Sequence, residues 1–182
     1  NEIFGLAVKN HQEGKTDIAL KLYNQILKIE PNHSQSLNNL GVIFQNQMNP
    51  EKAKDCYEKA IVIKPDYADA HNNLGNIFKE LGENQKAKEC YEKAIEINPN
   101  YANALNNLGI IFQILGKSQD AKECYEKAIE INPNYANAHN NLGIIFQKLG
   151  KNQDAKECYE KAIEINPNFA NAHNNLGNIF QE

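Results

Sequence analysis

The chain has 182 residues, 41% of them hydrophobic, with a formal charge of −4 and four cysteines. So mild a negative charge supplies no basic stripe for nucleic acid, and no apolar run approaches the roughly 20 residues of a membrane span. The composition is lean for a globule around one central core and suits a slender array whose core runs as a ribbon.

Pro31, Pro65, Pro99, Pro133 and Pro167 recur every 34 residues. A fixed period of this length predicts a stack of one supersecondary unit and argues against a buried catalytic centre. The units run 1–33, 34–67, 68–101, 102–135 and 136–169, with a partial unit at 170–182. Residues 102–135 and 136–169 differ only at Leu105/His139, Ile114/Lys148, Ser118/Asn152 and Tyr135/Phe169.

Each unit is predicted to be a hairpin of two helices, A and B. In the first, Ala7 stands where later units have a mid-helix glycine, and Thr16 is placed to cap helix B. In the second, Met48 takes the place of the turn glycine. Asn49 is a predicted N-cap there, with Pro50 at the first helical position and Glu51 after it. In the third, Asn84 holds the capping slot. The fourth shows the pattern most fully. Leu108, Ile111, Phe112 and Leu115 fall at i, i+3, i+4 and i+7, one face of helix A. Gly116 ends that helix and Ser118 is the expected cap of the next. Ala121, Cys124, Tyr125, Ala128, Ile129 and Ile131 form the apolar stripe of helix B, which Pro133 terminates. The fifth unit repeats this, with Asn152 as cap. The last segment reads as a helix A without its B; Leu176, Ile179 and Phe180 repeat the interior pattern. That predicts either a chain continuing past Glu182 or head-to-tail self-association of copies through this open helix.

Glycine inside a helix costs about 1 kcal/mol relative to Ala. Its recurrence at 41, 75, 109, 143 and 177 therefore predicts close helix approach, with Phe112 and Tyr125 filling the gaps. Cys56, Cys90, Cys124 and Cys158 lie one repeat apart, roughly 10 Å by ordinary helix packing, beyond the ~7 Å limit for a disulfide. They are predicted to be unpaired packing thiols, which points to a reducing, intracellular and cytoplasmic location. Lys88–Glu92, Glu89–Lys93, Lys122–Glu126 and Glu123–Lys127 are predicted i,i+4 pairs on a solvated face of helix B. His139 and His173 are too far apart to share a metal and are expected to pack under the preceding repeat. No Ser/His/Asp set, phosphate loop or zinc spacing is present, so no catalytic site, cofactor or metal is expected.

These landmarks resemble the tetratricopeptide repeat family over the whole chain. The motif reads Leu105, Leu108-Gly109, Phe112, Gly116, Ala121, Tyr125, Ala128 and Pro133. The resemblance implies an all-α solenoid, a right-handed superhelix of helix-turn-helix repeats forming a single array over 1–182. It also implies a concave wall lined by the A-helices that binds a protein or an extended peptide. Within helix A, the slot before the motif Leu is Asn39, Asn73, Asn107, Asn141 and Asn175. The slot before that is Asn38, Asn72, Asn106, Asn140 and Asn174. Asparagine is a poor helix former, and its amide can pair with both the N–H and C=O of a peptide backbone. The pattern is similar to the tetratricopeptide arm of O-GlcNAc transferases, where the Asn before the Leu holds substrate peptide. That role is carried here to Asn39, Asn73, Asn107, Asn141 and Asn175, and replacing Asn107 and Asn141 with Ala is expected to abolish peptide capture and leave melting nearly unchanged. The alternative is that the pair was merely copied with the repeat. Phe4, Val8, Gln35, Asn39, Asn103 and Asn107 offer no basic clamp for an acidic chaperone tail. Gln45, Lys79, Gln113 and Gln147 in one slot, and Asn46, Glu80, Ile114 and Lys148 in the next, are expected to set side-chain preference. The function expected is a binding scaffold. The alternatives are a self-stacking assembly protein or the recruiting arm of a glycosyltransferase whose catalytic domain lies elsewhere.

Overall fold

The computed structural model describes residues 2–179. Among them are eleven helices: α1 (Glu2–Gln12), α2 (Thr16–Ile29), α3 (Ser34–Asn46), α4 (Pro50–Ile63), α5 (Ala68–Glu80), α6 (Asn84–Ile97), α7 (Ala102–Ile114), α8 (Ser118–Ile131), α9 (Ala136–Lys148), α10 (Asn152–Ile165) and α11 (Ala170–Ile179). Odd-numbered helices are the predicted A-helices and even-numbered ones the B-helices. The B-helices α2, α4, α6, α8 and α10 each stop two residues before a repeat proline. Phe180, part of the expected interior pattern of the last helix, lies outside the described residues.

The chain divides into two compact units, Asn1–Ile97 and Asn98–Glu182. In the first, α1–α2, α3–α4 and α5–α6 pair as hairpins, α2 packs on α3 and α4 on α5, and α3 touches α5 directly. In the second, α7–α8 and α9–α10 are hairpins, and α9 touches both α7 and α11. Within each unit the A-helices thus form a layer of their own.

The A-to-B turn rests on one left-handed residue. Gly14, Gly82, Gly116 and Gly150 have φ between +71° and +75°. Met48 occupies the same place at φ 55°. An L-residue in this region costs about 1–2 kcal/mol, and the Met48 side chain is exposed, so it returns no packing. Met48→Gly should therefore stabilise the protein by about 1 kcal/mol, read as a higher denaturation midpoint.

This turn also corrects the expected caps. Thr16, Ser118 and Asn152 are first helical residues; the cap positions are Lys15, Lys117 and Lys151, which make no side-chain cap hydrogen bond. Asn84 likewise begins α6. The backbone closes the turn instead: the Lys117 N–H donates to Phe112 O at 2.8 Å and the Lys151 N–H to Phe146 O at 2.9 Å. In the second repeat, with Pro50 at its helix start, a side chain caps as expected: Asn49 Oδ1 accepts from the Lys52 N–H at 3.2 Å.

The core of the first unit is built on the fully buried Tyr23, Tyr57 and Tyr91 with Ile43 and Ile77, and that of the second on Tyr125 and Tyr159 with Ile111 and Ile145. The glycines of helix A make room for those rings. A Cβ on Gly109 would lie 2.6 Å from Tyr125 Cε1, and one on Gly75 2.7 Å from Tyr91 Cε1. Ser36 is a local fault in this packing. It fills the slot held elsewhere by fully buried Ala70, Ala104, Ala138 and Ala172, and its buried Oγ has no hydrogen-bond partner. Because an unsatisfied buried hydroxyl costs about 1–3 kcal/mol, Ser36→Ala should raise stability by about 1 kcal/mol in a denaturant titration.

The cysteines are free, and burial pushes the thiols of Cys56 and Cys90 up to about 11 and that of Cys158 to about 12. The thiols stay protonated at neutral pH and act as packing groups. Lys88–Glu92 and Lys122–Glu126 pair at 2.7 and 2.9 Å as expected. Lys93 instead pairs with Glu96, while Glu89 and Glu123 accept from Gln85 and Gln119 one turn earlier. The histidines pin loops. The Nε2–H of His71, His139 and His173 donates to the carbonyls of Pro65, Pro133 and Pro167 at 2.8–2.9 Å. Each of these carbonyls belongs to the last residues of the preceding repeat, three positions before the helix that carries the histidine.

Candidate functional site

The paired asparagines sit mid-way along the A-helices, and the structure separates their roles. In four of the five pairs the first member, Asn38, Asn72, Asn106 or Asn140, is buried, whereas Asn174 of the last helix is exposed; the second member, Asn39, Asn73, Asn107, Asn141 or Asn175, is half-buried throughout. Successive amides bond to one another. In the first unit the Asn72 amide donates to Asn73 Oδ1 at 3.4 Å, Asn73 to Asn38 Oδ1 at 3.1 Å, and Asn38 to Asn39 Oδ1 at 3.5 Å. Asn39 then donates to the Tyr23 hydroxyl at 3.1 Å. In the second unit Asn175 donates to Asn140 Oδ1 at 2.9 Å, Asn140 to Asn141 Oδ1 at 3.4 Å, and Asn141 to Asn106 Oδ1 at 3.0 Å. Each unit therefore carries a directional chain of amides running from a later A-helix to an earlier one.

The short links join neighbouring repeats and the long ones join adjacent residues of one helix. The inter-repeat bonds thus do most of the holding. They explain why two poor helix formers sit mid-helix: each repeat gains a hydrogen bond to the next in a partly desolvated place. The sequence shows the ladder but not this use of its buried member. The available signal was the adjacency of two asparagines at every repeat.

A carboxamide has two N–H donors and two acceptor sites. The bonds above use one of each on Asn39, Asn73 and Asn141. One donor and one acceptor therefore remain on side chains that are only half-buried and already held in a fixed pose. Asn107 shares the slot and burial of these three.

Further along the same face, buried tyrosines tie down the glutamines. The hydroxyls of Tyr57, Tyr125 and Tyr159 donate to Gln45, Gln113 and Gln147 at 3.2, 3.0 and 3.1 Å. Burial raises the pKa of these phenols, that of Tyr159 to about 12, so they remain donors at any ordinary pH. Gln45 also donates to Glu80 Oε1 at 2.8 Å, a link from α3 to α5. Four of the expected preference-setting residues, Gln45, Glu80, Gln113 and Gln147, are thus partly engaged within the protein itself. Among the described residues no group of His, Cys, Asp and Glu could hold a metal ion, and no helix is long and apolar enough to cross a membrane.

Comparison with known proteins agrees with this architecture. A family model described as tetratricopeptide repeat matches residues 32–100, 66–134 and 102–168, and a second of the same description matches 158–182. Among solved structures the chain is similar to MamA, at 30% identity and a TM-score of 0.75 over 87% of this chain and 93% of that one. It is similar to PilF of Pseudomonas aeruginosa at 23% identity and a TM-score of 0.89, over 99% and 83%. YrrB, described as a tetratricopeptide protein with an unusual peptide-binding site, matches at 23% identity and a TM-score of 0.72, over 94% and 89%. No curated protein matches the chain.

Proposed function

The chain belongs to the tetratricopeptide repeat family and is an all-α protein-interaction scaffold, and from that premise we propose that its A-helices hold an extended segment of a partner protein. The amides of Asn39, Asn73, Asn107, Asn141 and Asn175 grip the partner's main chain. The observation that carries this reading is the half-used state of Asn39, Asn73 and Asn141. Their positions are set by bonds between repeats, so little side-chain entropy is lost on binding. Each still offers the donor–acceptor pair that a peptide unit matches. Such a row reads backbone, so affinity should accumulate along the segment with modest dependence on sequence. The fold has a peptide-binding precedent in YrrB. The same amide row is what resembles the arm of O-GlcNAc transferases, and recruitment of a transferase substrate is a special case of this reading.

Selection of a displayed random 12-residue peptide library on the immobilised protein tests the proposal. Binding of the recovered peptides is then measured by fluorescence anisotropy. Saturable binding with many unrelated sequences recovered supports it. Failure to recover any binder from an unstructured library would remove it.

A further inference from the structure

The third repeat breaks the pattern of the A-helix face in two linked places. Where the tyrosine hydroxyl meets glutamine in the second, fourth and fifth repeats, the third has Lys79, whose ammonium can only donate. Tyr91 cannot use it. Its hydroxyl donates instead to Asn76 Oδ1 at 2.8 Å. Position 76 is Val42, Ile110 and Ile144 in those other repeats. The asparagine thus takes over the structural task and leaves Lys79 free of it. Asn72, Asn76 and Lys79 follow one another at i, i+4 and i+7, so the lysine lies on the same helix face as the amide chain.

The Lys79 ammonium makes no hydrogen bond or ion pair among the described residues. The side chain is half-buried, and desolvation holds its pKa below that of an ordinary lysine, opposed by the neighbouring charge of Glu80. Glu80 does not neutralise it by direct contact; its Oε1 is held by Gln45 from α3. A partly desolvated cation with no paired anion is unfavourable alone and favourable when an incoming carboxylate pairs with it.

We propose that Lys79 is the specificity-determining residue of the first unit, selecting partner segments that carry an aspartate or glutamate side chain opposite α5. This rests on the peptide-binding reading above and deepens it. Asn39 and Asn73 hold the main chain, and Lys79 reads one side chain. An acidic residue at one fixed place should then improve affinity about tenfold over its amide counterpart, the factor that 1.4 kcal/mol represents.

The test repeats the peptide selection on wild type, Lys79→Gln and Lys79→Glu. Lys79→Gln introduces the residue type already found at 45, 113 and 147, so the fold tolerates it; circular dichroism checks this. Wild type should recover binders enriched in Asp or Glu at one position relative to the rest. Lys79→Gln should still recover binders but lose that enrichment, with the Glu-over-Gln affinity ratio falling from about tenfold to about one. Lys79→Glu should shift the enrichment to Lys or Arg. Binders with no acidic position on wild type, or an acidic preference that survives Lys79→Gln, would overturn the role of Lys79 and leave the scaffold reading standing. No binders on any of the three would overturn both.

Discussion

Gly109→Leu should destabilise the second unit by about 3 kcal/mol, while Gly177→Leu should leave stability nearly unchanged. The two glycines hold the same slot of the repeat, and the difference lies in what faces them. At Gly109 a Cβ would already sit 2.6 Å from Tyr125 Cε1, and the ring is fully buried and cannot swing away. At Gly177 nothing lies within 4 Å. Insertion of a branched side chain into a filled core forces rotamers and backbone to shift. The first repeat bounds the effect, because Ala7 is fully buried in this slot. A single methyl is therefore tolerable in a hairpin built around it, and Gly109→Ala should cost less than the leucine. Urea titration followed by circular dichroism reads both. Repeat arrays can lose cooperativity, so midpoints should be compared between variants before free energies are extracted.

The second large effect concerns binding. Asn39→Ala together with Asn73→Ala should weaken peptide affinity of the first unit at least tenfold, about 1.4 kcal/mol. These two amides supply its donor–acceptor pairs, and alanine supplies none. This substitution also carries a stability cost. Removing Asn73 leaves Oδ1 of buried Asn38 without its 3.1 Å donor, and removing Asn39 frees the Tyr23 hydroxyl. Each loss is worth about 1 kcal/mol. Binding should therefore be measured at low temperature, where both forms are fully folded by circular dichroism. Asn38→Ala offers a useful contrast: it removes a buried link and should lower stability by about 1–2 kcal/mol, with a smaller effect on affinity than the double substitution.

Much of this architecture was legible in the sequence because it is local and repeated. Proline at 34-residue spacing, the i, i+3, i+4, i+7 stripe of Leu108, Ile111, Phe112 and Leu115, and glycine against tyrosine follow from periodicity and size alone. Boundaries of the A-helices at 34, 68, 102, 136 and 170 fall where the repeat units begin. Capping was misread because serine, threonine and asparagine are good caps in isolation, whereas here a left-handed glycine closes the turn through the backbone and carries them one position into the helix. The asparagine pair was visible as a ladder, yet the division between buried and half-buried members was not. It depends on atoms of residues 35 apart in the chain coming within 3 Å or so of each other, as for Asn106 and Asn141. The exchange of tyrosine partner at Asn76 was equally hidden, because the sequence places Lys79 in the preference-setting slot of Gln45, Gln113 and Gln147 but does not show that a tyrosine hydroxyl uses that slot.

The inward grip of the amides on a main chain is tested most directly by the side-chain NH₂ resonances of Asn73 and Asn141. They can be followed in ¹⁵N-resolved spectra while a selected peptide is titrated in. Saturating shifts at these amides, with the midpoint given by anisotropy, are predicted. Shifts confined to B-helix residues such as Lys93 and Glu96, with both amides unmoved at saturation, would contradict the account.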